Sequence, residues 1–143
     1  MQGAAKYTSG GHDSASIQGV IPSLSASFKP AGQSIVVNIN GAQVSFTLDK
    51  KGRGRNAQGS IALKLKTSKA KKGKAQFASG NTPFAAKIQH GTWAGVWGLN
   101  PSTNMTKAPM QLAATITLGG NSYATVVTVT CTAKASVGAK FKK

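Results

Sequence analysis

Few side chains in this sequence could carry out covalent or acid–base chemistry. The acids are Asp13 and Asp49, the histidines His12 and His90, and the one cysteine is Cys131. Paired-carboxylate catalysis needs two acids facing one substrate. Here the two stand 36 positions apart, and there is no glutamate. A Ser-His-Asp arrangement could draw on His12 or His90, but no nucleophile-elbow sequence supports it. His90 lies in QHGTW, a turn-like stretch where an exposed imidazole is the ordinary state. Calcium sites need several carboxylates, and a single cysteine excludes both a Cys-rich zinc site and an internal disulfide. The residue types therefore predict no enzyme, no metal and no cofactor.

Anion attraction is another matter. Eighteen Lys and Arg oppose the two acids, for a formal charge of +16. Such a balance favours anionic partners and says little about fold. Sixteen of the cations are lysines, which act as point charges and lack the bidentate fork used to read bases. Ten of the eighteen fall in residues 50–74: Lys50, Lys51, Arg53, Arg55, Lys64, Lys66, Lys69, Lys71, Lys72 and Lys74. Gly52, Gly54 and Gly59 permit backbone conformations in which N–H groups also converge on an anion. The stretch GRGRNAQG lacks the GK[ST] ending of a phosphate-binding loop. The aromatic interleaving that stacks single-stranded bases is also missing. Two readings follow: a generic polyanion-attracting surface, or a solvated basic face. Trp93 and Trp97 form a second candidate. If TWAGVWG is extended they share a face about 13 Å apart and could stack on sugar rings; alternatively both fill a core.

These groups need strands to position them. Period-2 alternation recurs, with no sustained helical period. SIVVNIN places Ile35, Val37 and Ile39 on one face, and QVSFTL does the same for Val44, Phe46 and Leu48. Asn40-Gly41 between them is a strong hairpin signal. SIALKLK sets Ile61, Leu63 and Leu65 against Lys64 and Lys66, while FAAKIQ sets Phe84, Ala86 and Ile88 against Lys87. MQLAATITL and SYATVVTVTCTAK flank a second hairpin candidate at 119–121, and Cys131 shares parity with Val127 and Val129 as a core residue. With SASIQGVI and weaker runs near Phe77 and Trp93, about eight or nine strands are expected. They predict a single all-β domain over 1–143, an antiparallel β-sandwich of immunoglobulin-like or jelly-roll-like type. The N-terminus (about 1–13) and the basic C-terminal tail (about 135–143) are expected to be flexible.

The succession FTLDKKGRGRNAQGSIALKLK, FAAKIQHGTWAGVWGL and VTVTCTAKA resembles β-rich domains of large, multi-domain secreted or surface proteins of environmental bacteria. The resemblance runs from about Ala15 to Lys134. Cys131 stands where an aromatic is common in such domains, and tryptophans replace the more usual Phe and Leu at 93 and 97. The resemblance implies a non-catalytic, extracellular or cell-surface, structural or interaction role. No apolar run reaches the length of a membrane span, and no signal peptide opens the sequence; a domain cut from a longer precursor would account for the latter. The expected partners are polyanions (acidic polysaccharide, nucleic acid or an anionic cell surface) or copies of the chain itself. Alternatives are a sequence-independent polyanion-binding module, a carbohydrate-binding module using Trp93 and Trp97, and a self-assembling filament or shell subunit.

Overall fold

The computed structural model describes residues 1–68, 76–77 and 79–143. Its twelve strands are Gln2–Lys6 (β1), Asp13–Leu24 (β2), Ser34–Ile39 (β3), Ala42–Thr47 (β4), Arg53–Asn56 (β5), Gly59–Leu63 (β6), Thr67–Ser68 (β7), Gln76–Phe77 (β8), Gly80–Gly91 (β9), Met105–Leu118 (β10), Asn121–Lys134 (β11) and Gly138–Lys142 (β12). Among the described residues the only helical element is a 3₁₀ turn, Gly95–Trp97. The all-β, antiparallel expectation holds. The strand count is higher than expected, and the arrangement differs.

Ten strands form one sheet in the order β4-β3-β10-β11-β12-β1-β2-β9-β6-β5, which curls into a nearly closed barrel. A two-sheet sandwich would have needed β4-β3-β10-β11 and β2-β9-β6-β5 as separate layers. The terminal strands β12 and β1 join them instead. Each residue of Gln2–Lys6 pairs with one of Gly138–Lys142, so the segments expected to be flexible tails form the centre of the sheet. The burial of Ala5, Ala139 and Phe141 explains why: short as they are, β1 sends one side chain and β12 two into the core.

The two outermost strands meet at a seam. The Asn56 side-chain amide donates to the Ser45 carbonyl at 2.8 Å, and the Asp49 N–H to the Arg53 carbonyl at 2.8 Å. Gly54 is required here, because a Cβ would stand 2.8 Å from Phe46 Cβ and 3.0 Å from the Thr47 carbonyl oxygen.

Inside, alternate residues of the strands make one apolar cluster, including Ile17, Ile35, Val37, Phe46, Ile61, Ile88, Leu112, Ile116 and Val129. The hairpin at Asn40-Gly41 forms as the sequence predicts. Both residues have positive φ, 48° and 94°, and Ile39 pairs with Ala42 across the turn. Gly119-Gly120 closes the second hairpin, with Leu118 opposite Asn121. Cys131 is wholly buried on the inward face of β11, and burial pushes its thiol pKa up.

Candidate functional site

The loop joining β4 to β5 is a built turn. Asp49 Oδ1 accepts the N–H groups of Lys51 at 2.8 Å and Arg53 at 2.9 Å, and the Gly52 N–H donates to the Asp49 carbonyl at 3.0 Å. The backbone donors that glycines were expected to offer an external anion thus converge on the chain's own carboxylate. Any grip on an anion here belongs to the side chains of Lys50, Lys51, Arg53 and Arg55, all exposed.

The same geometry gives a pH dependence. The N–H of Arg53 above all holds the Asp49 pKa below 3.8; desolvation opposes it, and the Lys51 N–H and the charges of both residues add to the lowering. A depressed folded pKa means the turn's stabilisation is complete above the unfolded value and is lost as pH falls through the lower folded one. A carboxyl-carbon NMR titration is expected to place the Asp49 midpoint below 3.8, with the Lys51 and Arg53 amide signals moving in the same window. A midpoint at or above the unfolded value would show that the turn is not held by this carboxylate.

The other acid is buried. Asp13, 2 % exposed at the start of β2, accepts the Lys6 N–H through Oδ1 at 3.0 Å and the N–H groups of Trp93 and Ala94 through Oδ2, the latter at 2.8 Å. It ties β1, β2 and the turn that leads into Gly95–Trp97 together. Both carboxylates of the chain are therefore engaged with backbone donors. His12 and His90 are exposed. His90 sits near the end of β9 in a left-handed conformation, φ 62°, and not in a loop. Among the described residues no three His, Cys, Asp or Glu side chains gather where they could hold a metal.

The tryptophans do not form an extended pair. The chain turns at 94–97, which brings the two rings to 5.9 Å between centroids at 52°. Trp97 is 2 % exposed, donates Nε1–H to the Ile39 carbonyl at 2.9 Å and sets its ring edge-on to Phe141 at 5.3 Å. Trp93 is half-buried against the same core. A flat platform with rings about 13 Å apart is absent, because Ala94 and Gly95 enter a 3₁₀ turn and leave the strand after Gly91.

Of the cations of 50–74 that the structure describes, Lys50 and Lys51 lie on the turn before β5, across from the end of β6 where the Leu63 N–H donates to the Gly52 carbonyl at 2.9 Å. Arg53 and Arg55 point outward from β5; Lys64 and Lys66 lie exposed just past the end of β6, not within it. Lys69, Lys71, Lys72 and Lys74 lie outside the described residues. Sheet register then aligns Arg55 with cations from distant parts of the chain. Arg55 pairs with Ser60, Ser60 with Lys87, Lys87 with Ser16, Ser16 with Gln2, and Gln2 with Lys142. At about 4.8 Å per strand, Arg55, Lys87 and Lys142 stand along one transverse row roughly 10 and 14 Å apart. Lys140 lies in the parallel row, opposite Ala4.

Between these cations the outer face is lined by small residues, which leaves it concave. One trough of about 820 Å³ has Gly3, Ala4, Ser14, Ser16, Thr130 and Thr132 among Lys87, Lys107, Lys140 and Lys142. A second, of about 780 Å³, continues it over β9, β6 and β5 from Lys87 to Arg53 and Arg55. The opposite half of the barrel is neutral: residues 30–48 and 108–133, which supply β3, β4 and most of β10 and β11, contain no charged side chain.

Lys87, Lys107, Lys140 and Lys142 were absent from the residues singled out in sequence. The signal was present as parity. Lys140 and Lys142 alternate with buried Ala139 and Phe141, and Lys87 with buried Ala86 and Ile88. No protein-family model, curated protein or solved structure matches this chain. Among the described residues no helix is long and apolar enough to cross a membrane.

Proposed function

We propose that the chain is a non-catalytic interaction domain that binds extended polyanions across the cationic half of its barrel. The observation that carries this reading is the transverse register row. It sets Arg55, Lys87 and Lys142, from three well-separated parts of the sequence, over one concave face. Cations needed for solubility alone have no reason to avoid β3, β4 and β10 beyond Lys107, and a one-sided field steers and holds an anionic chain. Ser and Thr hydroxyls in the trough can donate to phosphate, sulfate or carboxylate oxygens. Lysine predominates, and among the described residues the one aromatic lining the trough, Phe141, is buried and not open to base stacking; both features favour recognition of charge over sequence. Acidic polysaccharide, nucleic acid and an anionic cell surface all share that chemistry. The extracellular or cell-surface setting rests on the sequence resemblance.

The protein is expected to bind heparin and DNA alike, with no preference among DNA sequences. Five phosphate contacts give a slope of log affinity against log salt of about −4.5 on duplex DNA, or about a 10²–10³-fold loss between 50 and 200 mM salt. Affinity that is indifferent to salt, or that depends on one DNA sequence, would contradict the reading.

A further inference from the structure

Besides the seam between its outermost strands, the sheet has a gap near its middle. β1 pairs with β2 only through Ser14, Ala15 and Ser16, and β12 pairs with β11 only from Thr130 to Lys134. Beyond those residues β2 continues to Leu24 and β11 begins at Asn121, and among the described residues each is laddered on one side only, to β9 (with a break at 22–23) and β10 respectively. Two unpaired strand edges, over 17–24 and 121–129, therefore flank a slot whose base is formed by the ends of β1 and β12. At that base two strands, β12 and β1, separate the edges, which stand three strand spacings or about 14 Å apart around the sheet. A hollow of about 280 Å³ lies between them, with Val20, Tyr123 and Thr125 at its sides and the core residues Phe84 and Ile116 at its floor. Val20 and Val126, on the two edges, are 52 % and 63 % exposed.

We propose that this slot is a strand-addition site for an acidic extended peptide segment of another protein. Unpaired N–H and C=O groups along the two edges, Pro22 supplying a carbonyl only, are satisfied by an extended main chain. The apolar floor suits a segment with apolar side chains at alternate positions. Charge selects the residues between them. Lys142 and Lys143 line the base of the slot, and Lys29 lies by the hollow beyond its other end. Neither acid of the chain neutralises them, because Asp13 is buried against backbone donors and Asp49 sits in the turn after β4. A second copy of this chain would bring +16 against +16 and is disfavoured by the same field.

The test uses two synthetic peptides of equal length and charge: one alternating valine and glutamate, the other with prolines replacing alternate valines. Proline removes the donors that a ladder requires, so the first peptide is expected to bind about tenfold tighter or more, a few hydrogen bonds' worth. On its binding, amides along one of the two edges, within 17–24 or 121–129, are expected to gain hydrogen-exchange protection that persists at a salt concentration that releases heparin. Equal affinity of the two peptides, protection confined to the Lys140–Lys142 strand, or loss of binding with salt would reduce the interaction to charge and overturn the proposal. Absence of binding would overturn it as well. So would concentration-dependent self-association that protects the same amides, since that would place a second copy in the slot. The polyanion face is tested separately, by the heparin salt titration.

Discussion

Asp13→Ala is expected to cost on the order of 4 kcal/mol of folding stability, a large part of the 5–15 kcal/mol that holds a domain together. The carboxylate accepts three backbone N–H groups, from Lys6, Trp93 and Ala94. Hydrogen bonds to a charged acceptor contribute about 1.5–3 kcal/mol each, and a buried donor left without a partner costs about 1–3 kcal/mol. Water entering the site would recover part of this, so the total falls below the simple sum. Asp13→Asn retains one carbonyl oxygen but turns an NH₂ toward backbone donors, so an intermediate loss of about 2 kcal/mol is expected. Urea unfolding followed by tryptophan emission reads both variants, because the released donors lie beside Trp93. An Asp13→Ala protein within about 1 kcal/mol of the parent, the range of a single weak hydrogen bond, would show that the carboxylate does not tie these segments together.

Trp97→Ala is expected to cost about 3–5 kcal/mol, the usual range for truncating a large buried aromatic. The side chain is 2 % exposed and packs edge-on against Phe141 in the core. Trp97→Phe separates the two contributions. It keeps most of the ring but leaves the Ile39 carbonyl without its 2.9 Å donor, which costs about 1–2 kcal/mol. The parent's Trp97 emission is expected to be blue-shifted and resistant to iodide. If Trp97→Ala were nearly as stable as the parent and iodide quenched the parent strongly, the indole would be at the surface, where sugar stacking is again open to it.

What the sequence revealed was local. Alternation in 35–39, 43–48 and 84–88 gave the inward faces correctly, because a strand with one buried side must show period 2. Asn40-Gly41 gave its hairpin because the tight turn needs positive φ at both residues. The barrel was not legible, and the reason lies in β1 and β12. QGAAK and GAKFK each bury only one or two side chains, too few for a recognisable period, and a run of lysines reads as a tail. Without those two strands the remaining elements fall naturally into two sheets.

The site was obscured by the same missing register. Lysines 87, 107, 140 and 142 look scattered along the chain, whereas the dense 50–74 run draws attention. Pairing partners, which no single-sequence periodicity specifies, decide which cations share a face. The tryptophan spacing misled for a related reason. The pattern TWAGVWG reads as alternation, yet the N–H groups of Trp93 and Ala94 find the Asp13 carboxylate and the chain turns.

The central claim is that sheet register, which joins Arg53 and Arg55 to lysines from outside the dense basic run, builds the anion-binding face. Two variants with equal charge loss test it. Lys87, Lys107, Lys140 and Lys142 are replaced together by Gln in one, and Lys50, Lys51, Lys64 and Lys66 in the other. Salt titration of duplex DNA binding is then compared with the parent. The trough variant is expected to flatten the log–log salt slope by about 3.6, the full value for four contacts, while the second variant loses much less, and both unfold like the parent because all eight side chains are exposed. Equal losses in the two variants, or a larger loss in the second, would mean that binding follows net charge or the basic run, and would contradict the account.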